Sequence, residues 1–369
     1  MKVVIIIGTM IHGGAHRVAC IQANELSLRG YDVTLLLVVG SDLFPYDISS
    51  RVKIIFALPF ENLEFSTLKS KVFRKLKAIP ALIKAFKSEL PDIVISHGHG
   101  TNREAILASK LSNVLIICCE HTNIHLPIGF RGKLKYIERR FIYKLASAIT
   151  ILTNYDLDNF YSHYHNNVTV LPNPCPFQPK IKTPMADREK TVLAVGDLNR
   201  IDIKGWDSLI QLFSKVSETH HDWKLEFAGE GKRGTELISK MAVEHGILDK
   251  VSFLGSVKNI EQRMQNSSIF ILSSRFEGLP MALIEAMSQG CACIAFDCKT
   301  GPSDIINDGL DGILVEDQNI KQMVIKLEKL IGDVELREYL SKNALINSKR
   351  FSKEDIFNQW MNLIEDVVK

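Results

Sequence analysis

The 369-residue chain has 46% hydrophobic and 24% charged residues, the balance of a soluble globular protein long enough for two α/β domains. A net charge of +3 gives no bulk case for nucleic acid, and no run of 18 apolar residues is present to span a bilayer. The seven cysteines lie mostly in apolar runs, without the paired CxxC spacing of a zinc site, and fit a reducing cytoplasm.

Residues 3–7 are a short β-branched apolar strand, read as a first strand rather than a signal sequence. The loop GTMIHGG follows, with Gly13 and Gly14 letting backbone approach a ligand closely. A helix is predicted over 15–29 and a strand over 33–39, a βαβ unit lacking the full G-x-G-x-x-G fingerprint. His16 is expected on the helix surface. Residues 68–87 hold seven bases and no acid at helical spacing, and 131–144 form a second basic cluster. Such amphipathic basic helices suit an anionic membrane surface. Strands are predicted over 92–96, 115–119 and 148–153, the last closing this half. His97 and His99 follow one strand as loop residues, too few for a metal site, and Glu120-His121-Thr122-Asn123 follows another. Asp156 and Asp158 spell D-x-D but fall at a helix start, where acids cap.

Residues 175–190 read as a linker. The second half restarts with a strand over 191–195, then Gly196-Asp197-Leu198-Asn199-Arg200 and Lys204-Gly205. Helices are predicted over 206–216 and 235–245, strands over 223–228, 251–254 and 292–296. The stretch SIFILSSRFEGLPMALIEAMSQG, 268–290, organises this half: a buried strand, a polar turn holding Glu277, Gly278 and Leu279, then a helix opened by Pro280 and carrying Glu285. Unpaired amides at that helix start form an anion site. Two carboxylates beside it suit a diphosphate flanked by hydroxylated rings, which describes a sugar nucleotide. A helix over 351–369 ends the chain, with Ser352 as its N-cap.

The pair Glu277-x7-Glu285 within SRFEGLPMALIEAMSQG resembles the signature of retaining glycosyltransferases of family 4, and the flanking strand and EGLP turn make the match specific. GGAHRV, EHTN, VLPNP and the hairpin-like stretch 309–315 resemble further motifs of the family. The resemblance implies a GT-B fold: two Rossmann-like doubly wound α/β domains, 1–176 and 190–351, facing a cleft, with helix 352–369 crossing back to the first. It implies a nucleotide-sugar donor, UDP-linked, and no metal. Lys204 matches the lysine that meets the donor diphosphate. Asp197 stands where the family has arginine, so Arg200 would supply the guanidinium. Val257, between Ser256 and Lys258, would lie against the base, and Glu285 would accept hydrogen bonds from the ribose. Glu277, Gly278 and Leu279 would contact sugar hydroxyls, and His121 the donor sugar. Gly13 and Gly14 would lie near pyrophosphate and acceptor, the acceptor being a lipid-linked saccharide reached from the cytoplasmic face of a membrane. A sugar-nucleotide epimerase or hydrolase of this fold, and a non-catalytic sugar-nucleotide binding protein, stand as alternatives.

Overall fold

The computed structural model describes the chain apart from residues 12, 41–43, 60–67, 123 and 125–129, and the backbone alone at 68–76 and 130–132. His12, Asn123, Arg131 and the amino-terminal half of the first basic segment's side chains therefore lie outside the described residues. The chain divides into two compact units, Met1–Pro174 with Ile356–Lys369, and Cys175–Asp355.

The first unit runs β1 (Lys2–Ile7), α1 (Gly14–Leu28), β2 (Asp32–Val39), β3 (Lys53–Leu58), α2 (Leu68–Glu89), β4 (Ile93–His97), α3 (His99–Ser112), β5 (Leu115–Cys119), α4 (Phe130–Phe141), β6 (Ala148–Ile151), α5 (Asn154–Asn159) and β7 (Val168–Val170). Its seven strands pair in the order β3-β2-β1-β4-β5-β6-β7, all parallel. The central strand β1 is apolar from Val3 to Ile7 because helices cover both faces, and β4 is apolar over Ile93–Ile95 before ending on Ser96 and His97. One strand was not expected: β3, KIIFAL, is a half-exposed edge without apolar alternation. The strand over 148–153 does not close the sheet either, since β7 pairs with β6 beyond it.

The second unit runs β8 (Glu189–Val195), α6 (Ile201–Lys204), α7 (Trp206–Val216), β9 (Lys224–Ala228), α8 (Lys232–Glu244), β10 (Val251–Gly255), α9 (Ile260–Asn266), β11 (Ser267–Leu272), α10 (Met281–Ser288), β12 (Ala292–Asp297), α11 (Pro302–Ile305), β13 (Ile313–Glu316), α12 (Ile320–Gly332) and α13 (Val334–Ser348). Its six parallel strands pair in the order β10-β9-β8-β11-β12-β13. The stretch 309–315 is therefore not a hairpin: β13 runs parallel to β12, entered through a turn closed by Gly309 N–H on the Gly312 carbonyl at 2.9 Å.

A last helix, α14 (Lys353–Val368), starts where Ser352 Oγ accepts from Asp355 N–H at 3.1 Å. Its apolar face, Ile356, Phe357, Trp360 and Ile364, joins the core formed by Ile5, Ala19 and Leu35 of the first unit. That burial of four large side chains, at about 1.5–3 kcal/mol each, is what assigns the carboxyl terminus to the first unit.

In a doubly wound sheet, ligands bind beyond the carboxyl ends of the strands where the strand order reverses. That point lies between β1 and β4 in the first sheet and between β8 and β11 in the second.

Candidate active site

In the second unit, the chain leaving β8 and the chain leaving β11 meet at the reversal point. The first forms the single turn α6, ended by Gly205 in the left-handed region at φ 66°. A Cβ there would sit 2.1 Å from the Ser273 carbonyl oxygen, so only glycine permits this approach. Among the bonds that join the segments, Ser273 Oγ–H donates to the Lys204 carbonyl at 2.8 Å, and Arg275 N–H to the Ile203 carbonyl at 2.8 Å. Arg275 adds a bidentate pair with Asp207 at 2.8 and 2.7 Å. The motif reading had passed over this arginine, although it sits inside SRFEGLP.

Held this way, Lys204 Nζ donates to Glu277 Oε1 at 2.8 Å, and Ser274 Oγ–H donates to the same oxygen at 2.7 Å. The lysine side chain is 16% exposed and the glutamate 12%, so the pair is partly desolvated but reachable. Thr300 Oγ1–H donates to the Glu277 carbonyl, and Gly301, at φ 99°, brings its loop against Gly278 and Pro280. Pro280 is the N-cap of α10 rather than its first helical residue, a shift of one position. The amides of Met281 and Ala282 thus lack intrahelical acceptors. Glu285 lies on α10 and is buried, as is Leu279.

Three predicted residues stand apart. Asp197 turns back on its own loop, its Oδ1 accepting from Asn199 N–H at 2.9 Å, and among the described residues no ion pair joins it to Arg200 or Lys204. Arg200 is exposed at the N-cap of α6. Val257 follows β10, two strands from β8 and so about 10 Å along the same edge.

The first unit holds the remaining candidates. Gly13 is the N-cap of α1, and its N–H donates to Tyr46 Oη at 2.7 Å. No described protein atom lies within 4 Å of where a Gly14 Cβ would be, so packing does not demand glycine there. A cavity of about 250 Å³ opens at the β1/β4 reversal, lined among others by Gly8, Thr9, His16, His97, Thr101 and Glu104. His16 lines this cavity instead of the helix surface, and its buried Nδ1 and the Glu104 Oε2 have no hydrogen-bond partner among the described residues.

His121 follows β5 directly, with Nε2 2.8 Å from His97 Nδ1. Burial pushes its pKa down to about 4, against the pull of neighbouring Glu120, so the ring is neutral at pH 7. Glu120 itself is buried. Desolvation would raise its pKa, but Arg139, 2.7 Å away, and His99 hold it below the usual carboxylate range. Arg139 therefore does not belong to an exposed basic face, as the cluster at 131–144 had suggested. His99 is engaged by Glu138 at 2.8 Å. No group of three or more His, Cys, Asp or Glu placed to hold a metal ion occurs among the described residues.

Comparison with known proteins bears on both units. Residues 12–177 match the family model described as Glycosyltransferase Family 4, and residues 178–346 the one described as Glycosyl transferases group 1. The chain is 31% identical to the amylovoran biosynthesis glycosyltransferase AmsD of Erwinia amylovora, covering 98% of each chain. It is 30% identical to a Campylobacter jejuni α-1,4-N-acetyl-D-galactosaminyltransferase named for a GalNAc-GalNAc-diNAcBac-PP-undecaprenol substrate, covering 100% of this chain and 99% of the relative. Among solved structures, TarM of S. aureus, a mutant in complex with fondaparinux, α-GlcNAc-glycerol and UDP, superposes with a TM-score of 0.80 over 98% of this chain and 99% of its own, at 16% identity. That likeness shows the fold, two Rossmann-like domains of the GT-B type.

Proposed function

Because the chain belongs to the glycosyltransferases described by the Family 4 and group 1 models, we propose that it moves a hexose or N-acetylhexosamine from a UDP-sugar to a hydroxyl of a lipid-linked saccharide, with retention at the anomeric carbon. The observation that carries this reading is the Lys204–Glu277 contact at the reversal point of the second sheet, next to the start of α10. In the reaction the bond between the sugar's C1 and the diphosphate oxygen breaks, a bond from C1 to the acceptor oxygen forms on the same face, and the acceptor proton passes to the departing diphosphate or to water. Negative charge grows on the diphosphate. The Lys204 ammonium and the amides of Met281 and Ala282 lie where they can meet it, and stabilisation of developing charge by fixed donors is commonly the largest catalytic contribution. Glu277, oriented by Lys204 and Ser274, offers its second oxygen to sugar hydroxyls, and Glu285 serves the ribose. Arg200 reaches the diphosphate only by leaving its exposed position. Gly13 and Gly14 admit ligand backbone-close in the first unit. This scheme uses no metal ion.

Support for the acceptor class comes from the Campylobacter relative, which is named for an undecaprenol-linked saccharide, and for UDP from the nucleotide bound in the TarM complex. A lipid-borne acceptor places the enzyme at the cytoplasmic surface of a membrane. Among the described residues no helix is long and apolar enough to cross one. The surface contact we assign to α4. Leu134, Ile137 and Phe141 recur at helical spacing and are 45%, 50% and 58% exposed, beside exposed Lys133, Lys135 and Arg140. In α2, by contrast, the described apolar residues Ala78, Leu82 and Phe86 pack into the core.

The test is incubation with a panel of UDP-sugars, with and without a lipid extract as acceptor. UDP release that requires the extract is the expected result. Release without any acceptor would point to hydrolysis or epimerisation, and no release with any donor would overturn the reading.

A further inference from the structure

The cavity of about 250 Å³ at the β1/β4 reversal is built by the first unit alone. Ile7 of β1, Val38 of β2 and Ala78 of α2 give it apolar walls, while His16 enters from α1, and Thr101 and Glu104 from α3. Glu104 is 5% exposed, and its Oε2 meets no hydrogen-bond donor among the described residues. Its Oε1 accepts from Arg103, and a second nitrogen of that guanidinium donates to Glu138 Oε1 of α4 at 2.7 Å. The carboxylate is thus fixed at one oxygen and open at the other. A carboxylate oxygen buried without a donor is costly, and a ligand that brings one removes that cost.

Charge decides what kind of ligand fits. The start of α3, with Gly98 at its N-cap, would by itself suit an anion. Glu104 in the second turn opposes that, and so does the network behind it. Glu104 and Glu138 share Arg103, and Glu120 pairs with Arg139 at 2.7 Å, so three carboxylates face two guanidiniums. His99 meets Glu138 at 2.8 Å but does not make up the difference, because burial lowers its pKa against the pull of Glu120 and Glu138. Burial lowers the pKa of His16 as well. The surplus is negative, and a phosphate, whose oxygens carry charge of the same sign, is repelled from Glu104 Oε2. A hydroxyl or an amide N–H pairs with it. Size narrows the class further. Pockets for drug-sized ligands run to roughly 300–1,000 Å³, so this smaller one takes a single sugar ring, with C–H faces against Ile7, Val38 and Ala78.

We propose that this cavity binds one ring of the acceptor saccharide, and that Glu104 sets which ring is taken by accepting a hydrogen bond at Oε2 from a ring hydroxyl or an acetamido N–H. Every lining residue belongs to the first unit, so the ring binds there without a nucleotide. A substituent that carries only lone pairs, such as fluorine, sets acceptor against acceptor. Discrimination of this kind is strong because the mismatched ligand leaves a buried polar atom unpaired. His16 and Thr101 add hydrogen-bonding groups around the same ring. The proposal deepens the glycosyl-transfer reading and rests on it only for the ring's role as acceptor; the affinity for a sugar follows from the cavity itself.

The experiment is a ligand-detected NMR titration of the full chain with the methyl α-glycosides of glucose, galactose, N-acetylglucosamine and N-acetylgalactosamine, without nucleotide. At least one is expected to bind, and among its monodeoxyfluoro analogues one should bind about tenfold more weakly. Glu104→Gln, which removes the charge, should weaken the parent glycoside by a similar factor and reduce the fluorine penalty at that position. Ala78→Met narrows the cavity without touching the charged network and should abolish binding, with thermal unfolding reporting that both variants are folded. A panel in which no glycoside binds would overturn the proposal, as would a fluorinated series in which every analogue binds like its parent. So would Glu104→Gln binding the glycosides as tightly as the unsubstituted protein. A loss in Glu104→Gln confined to UDP-sugars would give the cavity to the donor and overturn it too. The fluorinated series uses the unsubstituted protein, so it decides even if the variants do not fold. Because no donor is present in the glycoside titrations, their failure is distinct from a failure to release UDP.

Discussion

If Lys204 and Glu277 hold the donor as one unit, removing them should not give independent losses. Lys204→Met takes away the ammonium that Glu277 Oε1 meets at 2.8 Å, while Glu277→Gln keeps the volume and the Ser274 bond at 2.7 Å but removes the charge. Loss of one donor aimed at developing charge costs roughly 10²-fold in rate, which is about 2.7 kcal/mol. Independent losses would bring the double variant to roughly 10⁴. Coupled residues share one loss, and a coupling of about 1.4–2.7 kcal/mol leaves the double variant between roughly 10² and 10³. The assay is initial-rate UDP release, read as kcat/KM for the donor selected from the panel, with thermal unfolding in parallel because the lysine is only 16% exposed and loses its acceptor. A double variant at the additive value would mean that the contact does not persist into the transition state. Single variants within a few-fold of the unsubstituted enzyme would mean that neither residue holds the donor.

Gly205→Ala should destabilise the protein by at least about 2 kcal/mol in urea unfolding, since it combines a left-handed backbone with a Cβ 2.1 Å from the Ser273 carbonyl. Gly14→Ala meets no described atom within 4 Å and should leave stability unchanged or slightly improved, while weakening substrate binding measured as KM. His121 titrates near 4 when folded against an ordinary 6.5, so the unfolded chain binds more protons between those values and stability is lost as pH falls through that window, by about 3 kcal/mol in full; the slope of unfolding free energy against pH should flatten in His121→Gln. Ile137→Glu with Phe141→Glu should abolish co-sedimentation with anionic phospholipid vesicles while leaving release of UDP to a detergent-dispersed acceptor intact; unchanged sedimentation would remove α4 from the membrane account.

The strands legible in sequence were those covered on both faces. Residues 3–7, 115–119 and 269–272 are apolar at every position because helices lie on either side, and short apolar runs of that length bounded by turns read as buried strands. The edges were not legible: β3 is half exposed and β7 only three residues long, so neither carries a periodic signal. The parallel course of β13 was hidden for another reason, since a glycine turn before a short apolar run reads alike for a hairpin and a crossover. At the site, local motifs singled out Glu277, Glu285 and Lys204, and of these the structure brings Lys204 and Glu277 into contact at 2.8 Å. Contacts between distant segments were beyond them. Nothing in the spacing tells that Arg139 turns inward to Glu120 nineteen residues away, or that Gln22 reaches His97 across seventy-five. Asp197 was the exception that chemistry could have resolved, because an aspartate two residues ahead of a free loop amide commonly bonds it.

The most direct test of the central claim is a crystal structure of the protein with UDP-sugar bound. The account predicts a diphosphate oxygen within hydrogen-bond distance of Lys204 Nζ and of the amides at the start of α10, with the ribose hydroxyls on Glu285. A diphosphate held elsewhere, with the Lys204–Glu277 pair undisturbed and untouched by ligand, would contradict it.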